Sequence, residues 1–184
     1  MRLFLAIQLS PSMKDALVNA QNALYERGVR GNYSPEENLH LTLAFIGEYP
    51  DAERVLEALS AVTFAPFPLR LEGMGCSGDL WWAGMQASAP LAALARKVRH
   101  ALAEHGVPYD RKRFSPHITL LRKARGQVPG VEIAPAAMTV DAVSLLRSDR
   151  GKSGMIYTEL GRIPAVLDDP PRQPPPVSSP ASGR

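Results

Sequence analysis

One cysteine, Cys76, stands in 184 residues, so no intramolecular disulfide can form. A protein of an oxidising compartment would gain nothing from one free thiol, and a reducing cytoplasm is the expected setting. No run approaches the ~20 apolar residues needed to cross a bilayer. The apolar opening from Leu3 to Leu9 meets Ser10 and Pro11 without a cleavage-like site, so neither a processed leader nor a membrane partner is expected. Metal ligands are scarce too. Beside the isolated Cys76 there are four histidines, never at His-x-x-x-His spacing, whereas structural zinc wants about four ligands and catalytic zinc three. No metal and no cofactor are expected. Hydrophobic residues at 45% and charged residues at 21% exclude collagenous, coiled-coil and disordered chains, and the length suits one compact domain.

The net charge of +3 is small but unevenly spread. Between Arg96 and Arg125 stand nine lysines and arginines against only Glu104 and Asp110, either a solvated face or the footprint of a phosphate-rich partner. From Pro164 to Arg184 the chain carries seven of its 17 prolines and almost no large apolar residue. Such a segment cannot build a core, which predicts a globular domain over 1–163 and a Pro-rich disordered tail over 164–184.

Within 1–163 the apolar stretch from Arg2 to Leu9 predicts a buried strand. Ser10 and Pro11 then open a helix that Gly28 closes, a second helix follows Asp51, and a third runs from near Pro90 to Gly106. Strands are predicted over 39–46, 67–74, 80–86, 118–122, 140–146 and 155–160, with turns at Gly73, Gly75, Gly78, Pro129, Gly130, Gly151 and Gly154. Helices and strands interleave irregularly, which favours an α+β fold.

One short internal repeat carries the chemistry: His40-Leu41-Thr42-Leu43 recurs as His117-Ile118-Thr119-Leu120. Strand side chains at i and i+2 share a face, so each motif offers one imidazole and one hydroxyl together while its apolar residues turn to the core. A single His-x-Thr is more often an ordinary half-buried strand; its duplication argues otherwise. Two imidazoles facing one substrate can hold different protonation states, one accepting a proton while the other donates. In-line displacement at a phosphodiester needs that pair, with Thr42, Thr119 and Arg122 available for the non-bridging oxygens.

The stretches Glu37-Asn38-Leu39-His40-Leu41-Thr42-Leu43-Ala44-Phe45-Ile46-Gly47-Glu48 and Phe114-Ser115-Pro116-His117-Ile118-Thr119-Leu120-Leu121-Arg122 resemble the two-histidine phosphoesterases, in particular the bacterial RNA 2′,3′-cyclic phosphodiesterases also called 2′-5′ RNA ligases. The opening residues Met1 to Ile7 and the segment from Leu145 to Tyr157 fit as well, so the resemblance covers about 1–163. It implies a bilobal α+β fold with pseudo-twofold symmetry, in which two antiparallel sheets with flanking helices each bring one motif to a central cleft. It further implies metal-independent hydrolysis of RNA 2′,3′-cyclic phosphate ends to a 2′-phosphate, with His40 as the acid and His117 as the base. Where many relatives have an arginine just after the first motif, this chain has Ala44. The expected partner is RNA with a cyclic phosphate end, with tRNA fragments and cyclic nucleotides as candidate forms, acted on by a monomer. A non-catalytic module that binds RNA ends, and 2′-5′ ligation by the same acid and base, stay open as alternatives.

Other residues are assigned on weaker grounds. Phe114, three residues before His117 in a basic neighbourhood, is a candidate to stack a terminal base. Adjacent Trp81 and Trp82 should face opposite ways along a strand. His100 and His105 are five apart, off any common helix face, and are expected in solvent. Gly151-Lys152-Ser153 resembles the end of a phosphate loop but lacks the earlier glycine, since that position holds Leu146. Arg147, Arg150 and Lys152 are candidate backbone contacts by charge alone.

Overall fold

The computed structural model describes residues 1–126 and 131–167; the tail beyond Leu167 and the predicted turn at Pro129 and Gly130 lie outside them. Strand β1 (Arg2–Gln8) leads into helix α1 (Pro11–Glu26), strand β2 (Arg30–Tyr33), a 3-10 turn (Glu36–Asn38) and strand β3 (His40–Glu48). Helix α2 (Ala52–Ser60), strands β4 (Phe67–Ser77) and β5 (Leu80–Met85), and helix α3 (Ala89–Glu104) follow. Strands β6 (His117–Arg125), β7 (Ala137–Val140), β8 (Ala142–Gly151) and β9 (Gly154–Pro164) complete the described chain. Two sheets result, one ordered β3-β1-β8-β9 and the other β2-β6-β5-β4-β7. Every pairing in them is antiparallel, so the expected α+β architecture of two such sheets with helices is what forms.

A repeat is built into this order. In one unit β1 leads through α1 to its partner β3, and in the other β5 leads through α3 to its partner β6. Each helix is 16 residues long and begins with a serine whose Oγ accepts a backbone N–H, Ser10 from Met13 and Ser88 from Leu91. Both end alike. Glu26-Arg27-Gly28-Val29 matches Glu104-His105-Gly106-Val107, each glycine has positive φ, and each valine N–H reaches back to a leucine carbonyl, Leu24 or Leu102. That is the left-handed glycine stop that closes a helix and turns the next apolar residue inward.

The main core lies between the sheets and helices, with Leu3, Leu5 and Ile7 of β1 meeting Met13, Leu17, Leu24, Leu91, Leu94 and Val98. On the opposite face of β1, Phe4 and Ala6 join Leu146 in a small separate cluster, flanked by Phe45 and Tyr157. This second patch makes β1 apolar on both faces, which explains its unbroken hydrophobic run.

Three elements depart from expectation. Strand β2 has no apolar alternation to announce it and exists by pairing with β6. The strand predicted over 140–146 is two, because the chain leaves one sheet at Val140 and enters the other at Ala142. The domain edge expected at 163 falls inside β9; beyond it Ala165 N–H bonds Asp141 O at 2.7 Å and Val166 N–H bonds Phe64 O at 2.9 Å.

Candidate active site

Each histidine motif opens a strand, β3 at His40 and β6 at His117. Both strands slip by one residue at the same point. In β3, Thr42 opposes Ala6 and Ala44 opposes Leu5, leaving Leu43 extra; in β6, Thr119 opposes Trp82 and Leu121 opposes Trp81, leaving Leu120 extra. An extra residue reverses the alternation of faces. Two consecutive side chains therefore turn to the core, Leu43 with Ala44 and Leu120 with Leu121, and all four are fully buried. The residue five beyond each histidine then returns to the face of the motif: Phe45 after His40 and Arg122 after His117. Ala44 thus points into the core against Leu5.

The two imidazoles are held alike. His40 Nδ1 lies 2.7 Å from Asn38 O and His117 Nδ1 lies 2.8 Å from Ser115 O. A carbonyl only accepts, so both Nδ1 atoms carry hydrogen, and Nε2 is the nitrogen left to exchange a proton. Their surroundings differ. His40 is enclosed by Phe4, at a 4.9 Å centroid distance, and Tyr157, at 5.3 Å, and its Nε2 is 2.9 Å from Thr42 Oγ1. Burial pushes its pKa below the ordinary histidine value; the Asn38 bond opposes this, and the charges of Arg122 and His117 add to it. That Arg122 and His117 both act on His40 places the two motifs in one electrostatic neighbourhood. His117 itself is exposed, and its Nε2 has no hydrogen-bond partner among the described residues.

Two cavities meet at His40. A neutral one of about 410 Å³ is lined by Asn32, Tyr33, Ser34, Asn38, Thr119 and Ser153, among others. A cationic one of about 520 Å³ is lined by Arg2, Phe45, Thr42, Ser148, Arg150 and Glu48, among others. Both share His40, Arg122, Met155 and Tyr157, so they form one continuous cleft. Gln21 supports its wall from α1, its Nε2 donating to Ser34 O at 2.8 Å and Leu120 O at 2.9 Å. Tyr33 donates its hydroxyl to Val29 O at 2.8 Å, and burial raises its pKa, so it stays a donor. Among the described residues no group of three or more His, Cys, Asp or Glu side chains is placed to hold a metal ion.

The cleft thus contains His40, Thr42, Thr119 and Arg122, with His117 on the same strand as Thr119 and Arg122. Phe114 lies outside both linings, partly buried at the core edge, with the Arg99 guanidinium 5.6 Å from its ring centroid. The basic run does not act as one surface. Arg99 donates to Leu43 O at 3.1 Å and Lys112 O at 2.7 Å, and Lys97 to Thr63 O at 3.0 Å, while Arg122 belongs to the cleft. Trp81 is buried, and Trp82 shares the face of its cross-strand partner Thr119 with its ring over Gly75. Exposed His100 pairs with Glu104 at 3.0 Å, and His105 bonds Ala101 O. Gly151-Lys152-Ser153 forms the turn between β8 and β9, with Ser153 facing the neutral cavity. Arg150 lines the cationic cavity, whereas Arg147 is held by Asp149 at 2.7 Å.

Sequence reasoning did not find Tyr157, Phe4, Asn32, Ser34 or Arg2 as cleft residues. The repeated Glu-x-Gly-Val would have marked the two structural units and directed attention to β1, the counterpart of β5.

A family model described as the 2′-5′ RNA ligase superfamily matches residues 14–152. The RNA 2′,3′-cyclic phosphodiesterase of Escherichia coli is 33% identical over 170 residues, 88% of this chain and 94% of that protein. The RNA 2′,3′-cyclic phosphodiesterase of Geobacillus stearothermophilus is 34% identical over 153 residues, 76% of this chain; the match spans 49%, about half, of that relative's length. Among solved structures, E. coli LigT in apo form superposes with a TM-score of 0.77 at 30% identity, over 90% of this chain and 98% of that one.

Proposed function

Because the chain belongs to the 2′-5′ RNA ligase superfamily, we propose that it is an RNA 2′,3′-cyclic phosphodiesterase that opens cyclic phosphate ends to a 2′-phosphate. The observation that carries this reading is the matched pair of imidazoles. Each has Nδ1 committed to a main-chain carbonyl two residues back, so each keeps Nε2 for proton transfer.

In the proposed step His117 Nε2 takes a proton from water as its oxygen attacks phosphorus. The bond from phosphorus to O3′ breaks, and His40 Nε2–H gives its proton to the leaving oxygen. Product and enzyme balance: a 2′-phosphate with a free 3′-hydroxyl, a protonated His117 and a neutral His40, which exchange protons with solvent before the next turn. Burial of His40 disfavours its charged form in the free protein. An anionic phosphate beside it reverses that preference, so the acid is charged when substrate is bound. Thr42 sits 2.9 Å from His40 Nε2 and orients it. Thr119 and Arg122 line the cleft and are assigned to the non-bridging oxygens, where charge accumulates. Phe114 is kept as a stacking residue only for a base reaching beyond the two cavities.

No step in this scheme uses a metal. The substrate is an RNA end, a tRNA fragment or a cyclic nucleotide, handled by a cytoplasmic monomer of one domain with a Pro-rich extension. The test is incubation with a 2′,3′-cyclic mononucleotide in EDTA and location of the product phosphate by phosphorus NMR. A 2′-phosphate is expected. A 3′-phosphate, or activity only after a divalent ion is restored, overturns the scheme. Binding without turnover would mark a recognition module, and joining to an added 5′-hydroxyl RNA would mark a ligase.

A further inference from the structure

Three guanidinium groups converge on the cationic cavity from three different strands: Arg2 of β1, Arg122 of β6 and Arg150 of β8. None of them has a carboxylate partner among the described residues. Their neighbours show that such partners were available. On β8 Arg147 is paired with Asp149 at 2.7 Å, and on β9 Arg162 with Glu159 at 3.2 Å. The one carboxylate in the lining, Glu48, instead has its Oε2 3.3 Å from the Met1 amino nitrogen. The guanidinium of exposed Arg2 lies 5.1 Å from the Phe45 ring centroid, which favours its position over the cavity. Three like charges, with Glu48 drawn to the Met1 amino group as the one carboxylate in the lining, repel one another, and an anion that enters relieves that repulsion while accepting forked hydrogen bonds.

The neighbouring cavity has the opposite character. Asn32, Tyr33 and Ser34 offer neutral donors and acceptors, and Arg122 at the junction is its one guanidinium. A cyclic phosphate at the shared residues His40 and Arg122 would leave its substrate one neutral and one cationic compartment. A nucleoside suits the first; a second phosphate suits the other.

We propose that the cavity of Arg2, Phe45 and Arg150 is a second phosphate subsite, which takes the phosphate on the 5′ side of the nucleotide whose cyclic phosphate is opened. This deepens the proposed function and rests on its placement of the reacting phosphate at His40. The enzyme then distinguishes the end of an RNA strand, or a 5′-phosphorylated nucleotide, from a nucleoside cyclic phosphate that lacks the second anion. Recognition depends on two residues outside the basic segment of the sequence.

The test is calorimetric binding of a nucleoside 2′,5′-bisphosphate against the matching 2′-monophosphate. The bisphosphate should bind at least tenfold tighter, with the advantage shrinking as salt rises. Arg150→Gln should weaken the bisphosphate about tenfold and the monophosphate less than twofold. Arg2→Gln should do the same, which keeps the test intact if one variant fails to fold. Equal affinities in the unaltered protein, or equal loss for both ligands in a folded variant, overturn the subsite. Turnover of a 2′,3′-cyclic mononucleotide is measured alongside. Its absence would count against hydrolysis, whereas the subsite stands or falls on the binding ratio.

Discussion

Gln21 offers the most direct test of how the fold holds the cleft in shape. Its side chain is 6% exposed on α1, and its amide donates to Ser34 O and Leu120 O. These carbonyls belong to a residue lining the neutral cavity and to the extra residue in the second histidine motif. Gln21→Met keeps the length of the side chain and removes both donors. Leu120 O still accepts from Ser34 N at 2.9 Å, so losing the second bond should cost about 1 kcal/mol. Ser34 O, part-buried beside the cavity, loses the donor that Gln21 gives it, a further cost of about 1 kcal/mol. The total, about 2 kcal/mol, should appear in urea unfolding as a lower midpoint at unchanged slope. Gln21→Glu sharpens the test. An ionised carboxylate there faces two carbonyl oxygens with no donor, so burial raises its pKa above the unfolded value of roughly 4.3. The folded state then binds more protons than the unfolded one. Stability of this variant is greatest below the unfolded pKa and is lost as pH rises through the raised folded one. A Met variant within about 0.5 kcal/mol of the natural protein, or a Glu variant whose deficit does not grow with pH, would refute the reasoning.

Three further outcomes are expected. Turnover should follow a bell-shaped pH profile, and His117→Ala should remove one limb and slow the reaction roughly 10²–10⁴-fold, as stopped assays across pH would show. His40 has a folded pKa below its unfolded value of about 6.5, so the unfolded chain takes up the proton first. Its contribution to stability is complete above that pH and declines as pH falls toward the lowered folded value; His40→Gln should flatten this part of the urea-unfolding profile, and an unchanged slope would contradict the burial argument. Arg99→Ala should cost roughly 1.5–3 kcal/mol through lost bonds to Leu43 O and Lys112 O, persisting in high salt, whereas exposed Arg96→Ala should stay within about 0.5 kcal/mol in thermal melts.

Much of the molecule was legible where local rules act alone. Serine caps and glycine stops marked α1 and α3, the Asp51 cap and apolar spacing marked α2, and the paired histidines led to both strands of the site. What escaped depends on partners distant in sequence. Arg30-Gly31-Asn32-Tyr33 has no strand pattern of its own and is ordered by β6. The apolar run through 140–146 hides a change of sheet at Asp141, because both sides of the break are buried. Arg2 and Arg150 share a cavity only because β1 and β8 are neighbours, with Arg2 opposite Ser148. Charge density along the sequence therefore pointed to 96–125, where Arg99 serves packing and Arg122 reaches the cleft, and gave no sign that Arg2 joins Arg122 and Arg150 in one cavity.

The extra residue in each motif strand behaves like a frameshift written in three dimensions. Without the slip at Leu43, regular alternation would carry Ala44 to the motif face and Phe45 into the core, although the written sequence would be the same. Phe45 would turn inward, releasing the ring beneath Arg2, and the motif His-x-Thr would survive intact in a strand that no longer served it. For the same reason Ala44→Arg would send a charged side chain into the core beside Leu5 and not into the cleft. The slip, more than the identity of residues 43 and 44, therefore decides which side chains of β3 reach the cleft.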